Sequence, residues 1–266
     1  MIVSRRALRA VACACALVPG LTFAQGFSAL VTPPRFEDRV APGSTYRNVI
    51  EITNVSDTRA RYALRTADWT LDPNGAASFS YDLAPGSCRP WVGIEAPELV
   101  VEPNMKRRYR FEVAVPADAP QGECRFAIMV EGDPTTLDGP VAMPVAGRIA
   151  VIVYVGVGDA APQLEVSGAR AAVVEGRRVP VLEIRNRGDA HGRLDGLVEG
   201  RDASGRRYAF TASTQPILAG ETRAIALTAQ SDRPDAPPPE LVFPVTLSGQ
   251  LAAGRQHVDV ETTIAP

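Results

Sequence analysis

From Val141 to Val157 the chain keeps a period of two for 17 residues. The odd positions are Val141, Met143, Val145, Ile149, Val151, Val153, Val155 and Val157, interrupted by Gly147 alone. The even positions are Ala142, Pro144, Ala146, Arg148, Ala150, Ile152, Tyr154 and Gly156. A helix would spread the aliphatic row around its whole surface, whereas a strand gathers it on one face. The segment therefore reads as a strand, far longer than the usual five or six residues or so. Pro144 has no N–H to give a neighbour, which puts the first half at a sheet edge or a bulge. A long aliphatic edge invites unwanted pairing. Two readings stay open: a long, buried last strand running into a linker, or an edge kept for a partner whose pockets it fills.

The same alternation recurs along the chain, and no segment of a dozen residues carries a helical stripe. Ile50 and Ile52 alternate with Glu51 and Thr53, and Tyr109, Phe111, Val113 and Val115 with Arg108, Arg110, Glu112 and Ala114. Cys124, Phe126, Ile128 and Val130 form a third such row. Ala41-Pro42-Gly43, Asp72-Pro73-Asn74-Gly75 and Ala84-Pro85-Gly86 supply turn chemistry between the rows. Seven or eight strands fit between Gly26 and Val157, the pattern of an immunoglobulin-like sandwich. Gly158-Asp159-Ala160-Ala161-Pro162 reads as a linker. Beyond it, strands are expected over Val181–Arg185, Leu194–Glu199, Tyr208–Ala212, Arg223–Thr228, Leu241–Leu247 and Gln256–Ile264, with Pro234–Pro239 as a surface loop. The fold class is all-β: two tandem immunoglobulin-like β-sandwich domains.

Arg5, Arg6 and Arg9 precede an apolar run from Ala10 to Phe23, and Thr22 and Ala24 flank Phe23 as a small-x-small cleavage site. Residues 1–24 are thus expected to be a signal peptide, with export across the inner membrane. The run is too short to span a bilayer, and no other segment is apolar enough. About 242 residues remain, enough for two domains, 25–158 and 159–266. Losing three arginines takes the formal charge from −2 to about −5. A mildly acidic chain without a basic tract argues against nucleic-acid binding. Cys88 and Cys124 are then the remaining cysteines, an even pair in an oxidising compartment. A disulfide is the favoured reading, against a metal site or two free thiols.

Residues that could carry chemistry are few. The histidines are His191 and His257, and no nucleophile motif accompanies either. His191 reads as a solvated loop residue. No His, Cys, Asp or Glu set has metal-ligand spacing, and no phosphate-binding glycine loop occurs. Neither catalysis nor a cofactor is expected. Trp69 and Trp91 read as core or sandwich-edge residues. Asn54-Val55-Ser56 is a formal glycosylation sequon, and Lys106 is the only lysine.

Several stretches together resemble the periplasmic pilus-assembly (fimbrial), PapD-like chaperones of chaperone–usher systems. They are Arg35 in Pro33-Pro34-Arg35-Phe36; Cys88-Arg89-Pro90-Trp91 through to Pro116, with Glu102-Pro103-Asn104 before a Tyr-x-Phe-x-Val strand; and Gly122 to Gly132 leading into the long strand. The resemblance covers most of the chain after the signal and is strongest in its first half. It implies two sandwiches set like a boomerang, in the periplasm, working without ATP in fimbrium biogenesis and cell wall organisation. It implies as partners a pilus or fimbrial subunit and an outer-membrane usher. The donor row would be Val141, Met143, Val145 and Ile149, lent to an incomplete subunit. The family anchors the subunit's terminal carboxylate with an Arg of the first strand and a Lys of the long strand. Arg35 matches the Arg, but the Lys has no counterpart. Arg148 lies on the long strand with the right parity and could clasp a carboxylate bidentately; a structural ion pair is the other reading. Matching Tyr154 to the family's aromatic puts Val151 at the Lys position instead. The alternative to a chaperone is a secreted structural or adhesive β-sandwich protein of the envelope.

Overall fold

The computed structural model describes residues 27–137, 143–231, 233 and 236–266. Among them the regular elements are strands, apart from one 3-10 turn at Arg89–Trp91. In chain order the first half carries β1 (Ala29–Thr32), β2 (Arg35–Val40), β3 (Thr45–Asn54), β4 (Ala60–Leu71), β5 (Ala77–Ser80) and β6 (Val92–Ile94). It continues with β7 (Glu98–Val101), β8 (Lys106–Ala114), β9 (Gly122–Gly132), β10 (Thr135–Leu137), β11 (Met143–Val145) and β12 (Arg148–Val157).

Alternation decides which face each strand buries. On β8, Tyr109, Phe111 and Val113 are buried while Arg108 and Arg110 stay in water. Two sheets face each other across that buried layer. One has the order β1-β3-β8-β6, the other β2-β12-β9-β4-β5 with β7 also on β4. Phe36, Ile50, Tyr62, Phe111, Phe126 and Val153 fill the space between them. The chain crosses from one sheet to the other at Pro33-Pro34. β1 pairs antiparallel with β3, and β2 then runs parallel to β12. Two successive prolines supply no N–H to either ladder, so the ladder ends there and the chain is free to change sheet. Cys88 and Cys124 form a disulfide that ties the 3-10 turn to β9.

The second half carries β13 (Leu164–Val174), β14 (Arg177–Asn186), β15 (Leu197–Arg201), β16 (Arg207–Ala212), β17 (Thr222–Ala229), β18 (Val245–Ala253) and β19 (Gln256–Ile264). They follow one path, β13-β14-β17-β16-β15-β18-β19. β17 gives its first half to β14 and its last three residues to β16, so the sheet folds over a core of Leu182, Ile184, Phe210, Leu227 and Leu247. The Gln256 amide closes the two ends. It donates to the Leu164 carbonyl at 2.6 Å and accepts from the Leu164 N–H at 2.8 Å, standing in for a ladder rung.

Two differences from the sequence reading have local causes. β13 was not expected as a strand; Ser167 and Gly168 interrupt its apolar rhythm, and the register shifts between Val166 and Gly168. The strand expected over Leu241–Leu247 begins only at Val245, directly after Pro244.

Candidate functional site

The long alternating segment is divided. β11 pairs antiparallel with β10, with Thr136 opposite Pro144, and forms a separate two-stranded sheet. β12 begins at Arg148 and pairs with β9 over its full length. Ala146 and Gly147 lie between, so the single 17-residue strand is corrected to two. The break coincides with the seat of Phe27. A Cβ on Gly147 would lie 1.9 Å from the Phe27 Cβ, and one on Gly132 would lie 2.6 Å from its ring. The Gly132 N–H donates to the Gly147 carbonyl at 3.1 Å, and the Phe27 ring meets Tyr62 edge-on at 6.0 Å. Two side-chain-free positions are what admit an aromatic ring here.

The expected donor residues are distributed accordingly. Val141 lies outside the described residues. Met143 is on β11, Val145 is exposed at its end, and Ile149 sits half-buried against the first core. β2 pairs with β12 only from Ile152 to Val157, ending with an Ile152 N–H bond to the Pro34 carbonyl. Among the described residues, no strand pairs with β12 over 148–151 on the side away from β9. Among the described residues that stretch is therefore an edge without a second strand, and its odd side chains Ile149 and Val151 pack into the first core.

The two expected anchoring cations are not brought together. Arg35 stands in register with Ile152 and pairs with Glu37 at 2.6 Å. Arg148 stands opposite Glu131, four residues earlier on β12, roughly 13 Å along the strand. Burial would raise the Glu131 carboxyl, but bonds from Tyr81 and Arg65 and the charges of Arg65 and Arg148 lower it on balance.

A different cluster meets Arg35 instead, and the second sandwich supplies half of it. The Arg193 guanidinium reaches the same Glu37 oxygen at 3.3 Å. His191 lies between two carboxylates, Nδ1 to Glu123 at 2.5 Å and Nε2 to Glu37 at 3.5 Å. Its ring stacks on Tyr154, with centroids 3.7 Å apart. The sequence placed His191 in a solvated loop; its side chain is 9% exposed, so that expectation is corrected. The partners Glu37, Glu123 and Tyr154 come from β2, β9 and β12, and no local pattern around His191 announces them. Burial alone would lower the His191 pKa, but the hydrogen bonds and charges of Glu123 and Glu37 outweigh it and raise it. Glu37 is held down to about 2, chiefly by its bond to His191 and against the cost of burial. Tyr154 is pushed up to about 12 by burial.

A carboxylate with a lowered pKa stabilises the fold above its unfolded value, about 4.5, and that contribution goes as pH falls through about 2. Glu37→Gln is therefore expected to lower the melting temperature at pH 5–6, with the gap to the parent narrowing towards pH 2. A gap of constant size over that range would remove Glu37 from the cluster's energetics.

The same sheet face carries a second contact with the other sandwich. Leu218 packs with Trp69, Met129 and Tyr154. At the β4–β5 turn, Arg223 donates to the Asp72 carbonyl at 2.8 Å and Gln215 to the Asn74 carbonyl at 3.3 Å. Gly75, at φ 86°, leaves room for the Gln215 amide, which would lie 2.6 Å from a Cβ there. Trp69 is buried in this layer, under the Arg125 guanidinium at 5.0 Å. Asn54 is fully buried, and its amide donates to the Thr58 and Val101 carbonyls, so the sequon is a structural corner. Lys106 pairs with Glu51 at 3.1 Å. Among the described residues, no three His, Cys, Asp or Glu side chains are grouped to hold a metal ion, and no helix is long and apolar enough to cross a membrane.

No family model matches the sequence. No curated protein matches it either. Solved structures do. The YadV chaperone is 8% identical, covers 89% of this chain and all of its own, and has a TM-score of 0.47. The E. coli chaperone DraB is 14% identical, with 90% of this chain and 98% of that chain covered and a TM-score of 0.46. A chain of the CsuC–CsuE chaperone–tip adhesion subunit pre-assembly complex from Acinetobacter baumannii is 14% identical, with 90% and 100% covered and a TM-score of 0.46. Each is a chaperone or a chaperone complex.

Proposed function

We propose that this chain is an ATP-independent periplasmic chaperone of pilus or fimbrial subunits, which lends an edge strand to complete a subunit's fold. The observation that carries the reading is that, among the described residues, no second strand pairs with β12 over 148–151, a stretch continuous in sequence with the exposed end of β11. An edge with unpaired backbone groups and aliphatic side chains on alternate positions binds by β-augmentation. Met143, Val145 and Ile149, with Val141, are the residues assigned to the donor row. Arg35 is assigned to the partner's carboxylate. Arg148, four residues along β12 from the register position of Arg35, is the proposed second cation of that anchor. An outer-membrane usher belongs to the same reading as a second partner, and the functional units are 25–158 and 159–266.

Val145→Asp is the clean test, because Val145 is 42% exposed and its replacement leaves the core alone. Ile149→Asp would bury a charge against that core and is expected to damage the fold as well. The Val145→Asp protein is expected to keep the parent's melting temperature and to lose co-purification with a co-expressed fimbrial subunit. Capture equal to the parent's would sink the proposal. Fractionation separates it from an adhesive role. A chaperone stays in the periplasm and is absent from assembled fibres, whereas a structural protein remains in them.

A further inference from the structure

We propose that His191 is a proton-operated clasp that fixes the setting of the two sandwiches relative to one another. This inference does not depend on the chaperone reading. Its basis is the number of donors on an imidazole ring. A neutral ring has one N–H, whereas His191 faces a carboxylate at each nitrogen, Glu123 Oε2 at 2.5 Å and Glu37 Oε1 at 3.5 Å. Only the imidazolium donates to both. In either neutral tautomer one carboxylate faces a lone pair, and the charge that compensated the two acids is gone.

The setting makes that loss matter. The Glu123 side chain is 6% exposed, and its Oε1 has no hydrogen-bond partner. A buried carboxylate so placed relies on its remaining contacts, all of which come from His191 through Oε2: the ring and the backbone N–H at 3.1 Å. Every element around the ring contributes charged or titratable groups. They are Glu37, Asp38 and Arg39 from β2, Glu123 and Arg125 from β9, Tyr154 from β12, and Asp189 and Arg193 from the loop of His191 itself. Arg39 is engaged with the Ala160 carbonyl at 2.7 Å, and Asp189 with Gln121 and the Ala161 N–H. Arg193 shares Glu37 with Arg35. None of these groups is a hydrogen-bond partner of Glu123, so none replaces the imidazolium.

The ring is also coupled mechanically to the larger contact. Gly192 and Ile217 exchange backbone bonds at 3.1 and 2.8 Å, which ties the His191 loop to the segment bearing Leu218. Leu218 in turn is the side chain of the second sandwich that lies among Trp69, Met129 and Tyr154. Releasing the Glu37 side of the ring therefore loosens the apolar contact next to it. The raised His191 pKa agrees with this and sets the sign. The clasp is complete below the ordinary histidine value of about 6.5 and is lost as pH rises through the folded value.

Hydrogen exchange on the full chain tests the clasp without labels. After correction for the intrinsic rate, protection of segments 189–193 and 214–222 is expected to fall at least about tenfold from pH 6 to pH 9. β18 and β19 should keep theirs. His191→Gln should show the lower protection already at pH 6 and no step. Glu123→Gln should move the step to lower pH. Should His191→Gln fail to fold, the parent suffices. The imidazole signal of His191, followed by NMR, must share its midpoint with the step in protection. Equal protection at pH 6 and 9, a step of the same size in His191→Gln, or a ring that titrates with no change in protection would each overturn the clasp.

Discussion

With both Cys88 and Cys124 replaced by alanine, the first sandwich is expected to melt roughly 10–20 °C lower while the second moves by less. The two cysteines are 36 residues apart. Closing a loop of that length removes unfolded-state entropy worth about 3–4 kcal/mol on the chain-entropy model. Both cysteines are buried in the first core. Alanine avoids adding a buried hydroxyl, so the loss reports the crosslink together with a small cavity. Differential scanning calorimetry is the measurement, since it shows which of two transitions moves. A shift of only a few degrees would mean that the sheets hold the 3-10 turn against β9 unaided.

Tyr154→Ala is expected to cost about 3–5 kcal/mol and to uncouple the two sandwiches. Tyr154 is 2% exposed on the outer face of β12. Its ring lies edge-on to Trp69 at 5.6 Å and flat on His191 at 3.7 Å, so one side chain joins the apolar layer to the charged cluster. Truncation leaves a cavity between structures anchored at their other ends, which cannot collapse fully to fill it. Calorimetry should show two separated transitions, where the parent is expected to show overlapping ones. Tyr154→Phe retains both ring contacts and should stay close to the parent. If Tyr154→Ala lowers both transitions together, the sandwiches are held by the Arg223–Asp72 and Gln215–Asn74 bonds instead. Unlike the His191 clasp, this effect is expected to persist across pH, because the lost contact is apolar.

Much of the fold was legible from alternation. Tyr109, Phe111 and Val113 face inward because their neighbours are charged, and that decision needs no knowledge of the partner strand. The disulfide was readable for a related reason, since a single pair remains once the expected signal peptide is set aside. Leu164–Val174 was not legible, because Ser167, Gly168 and a register shift blur its period. The candidate site divides the same way. The aliphatic character of Val145 and Ile149 is written in the chain, but their separation onto two strands is not. Arg35 and Arg148 share a strand face by parity, yet parity fixes only the face; register sets the distance along it, and register placed Arg148 opposite Glu131.

The sequence by itself determined that the regular elements are strands and, where the alternation is regular, which side chains each strand buries. A period of two follows from backbone geometry and is complete within a few residues. Only the tertiary structure decided where the long strand breaks and what His191 does. Gly147 gives way because Phe27 arrives from the far end of the chain. His191 meets Glu123 across 68 residues and Glu37 across a still longer interval. Such contacts depend on how two finished sandwiches meet, where a pair of carboxylates outweighs burial and raises the pKa of a loop histidine.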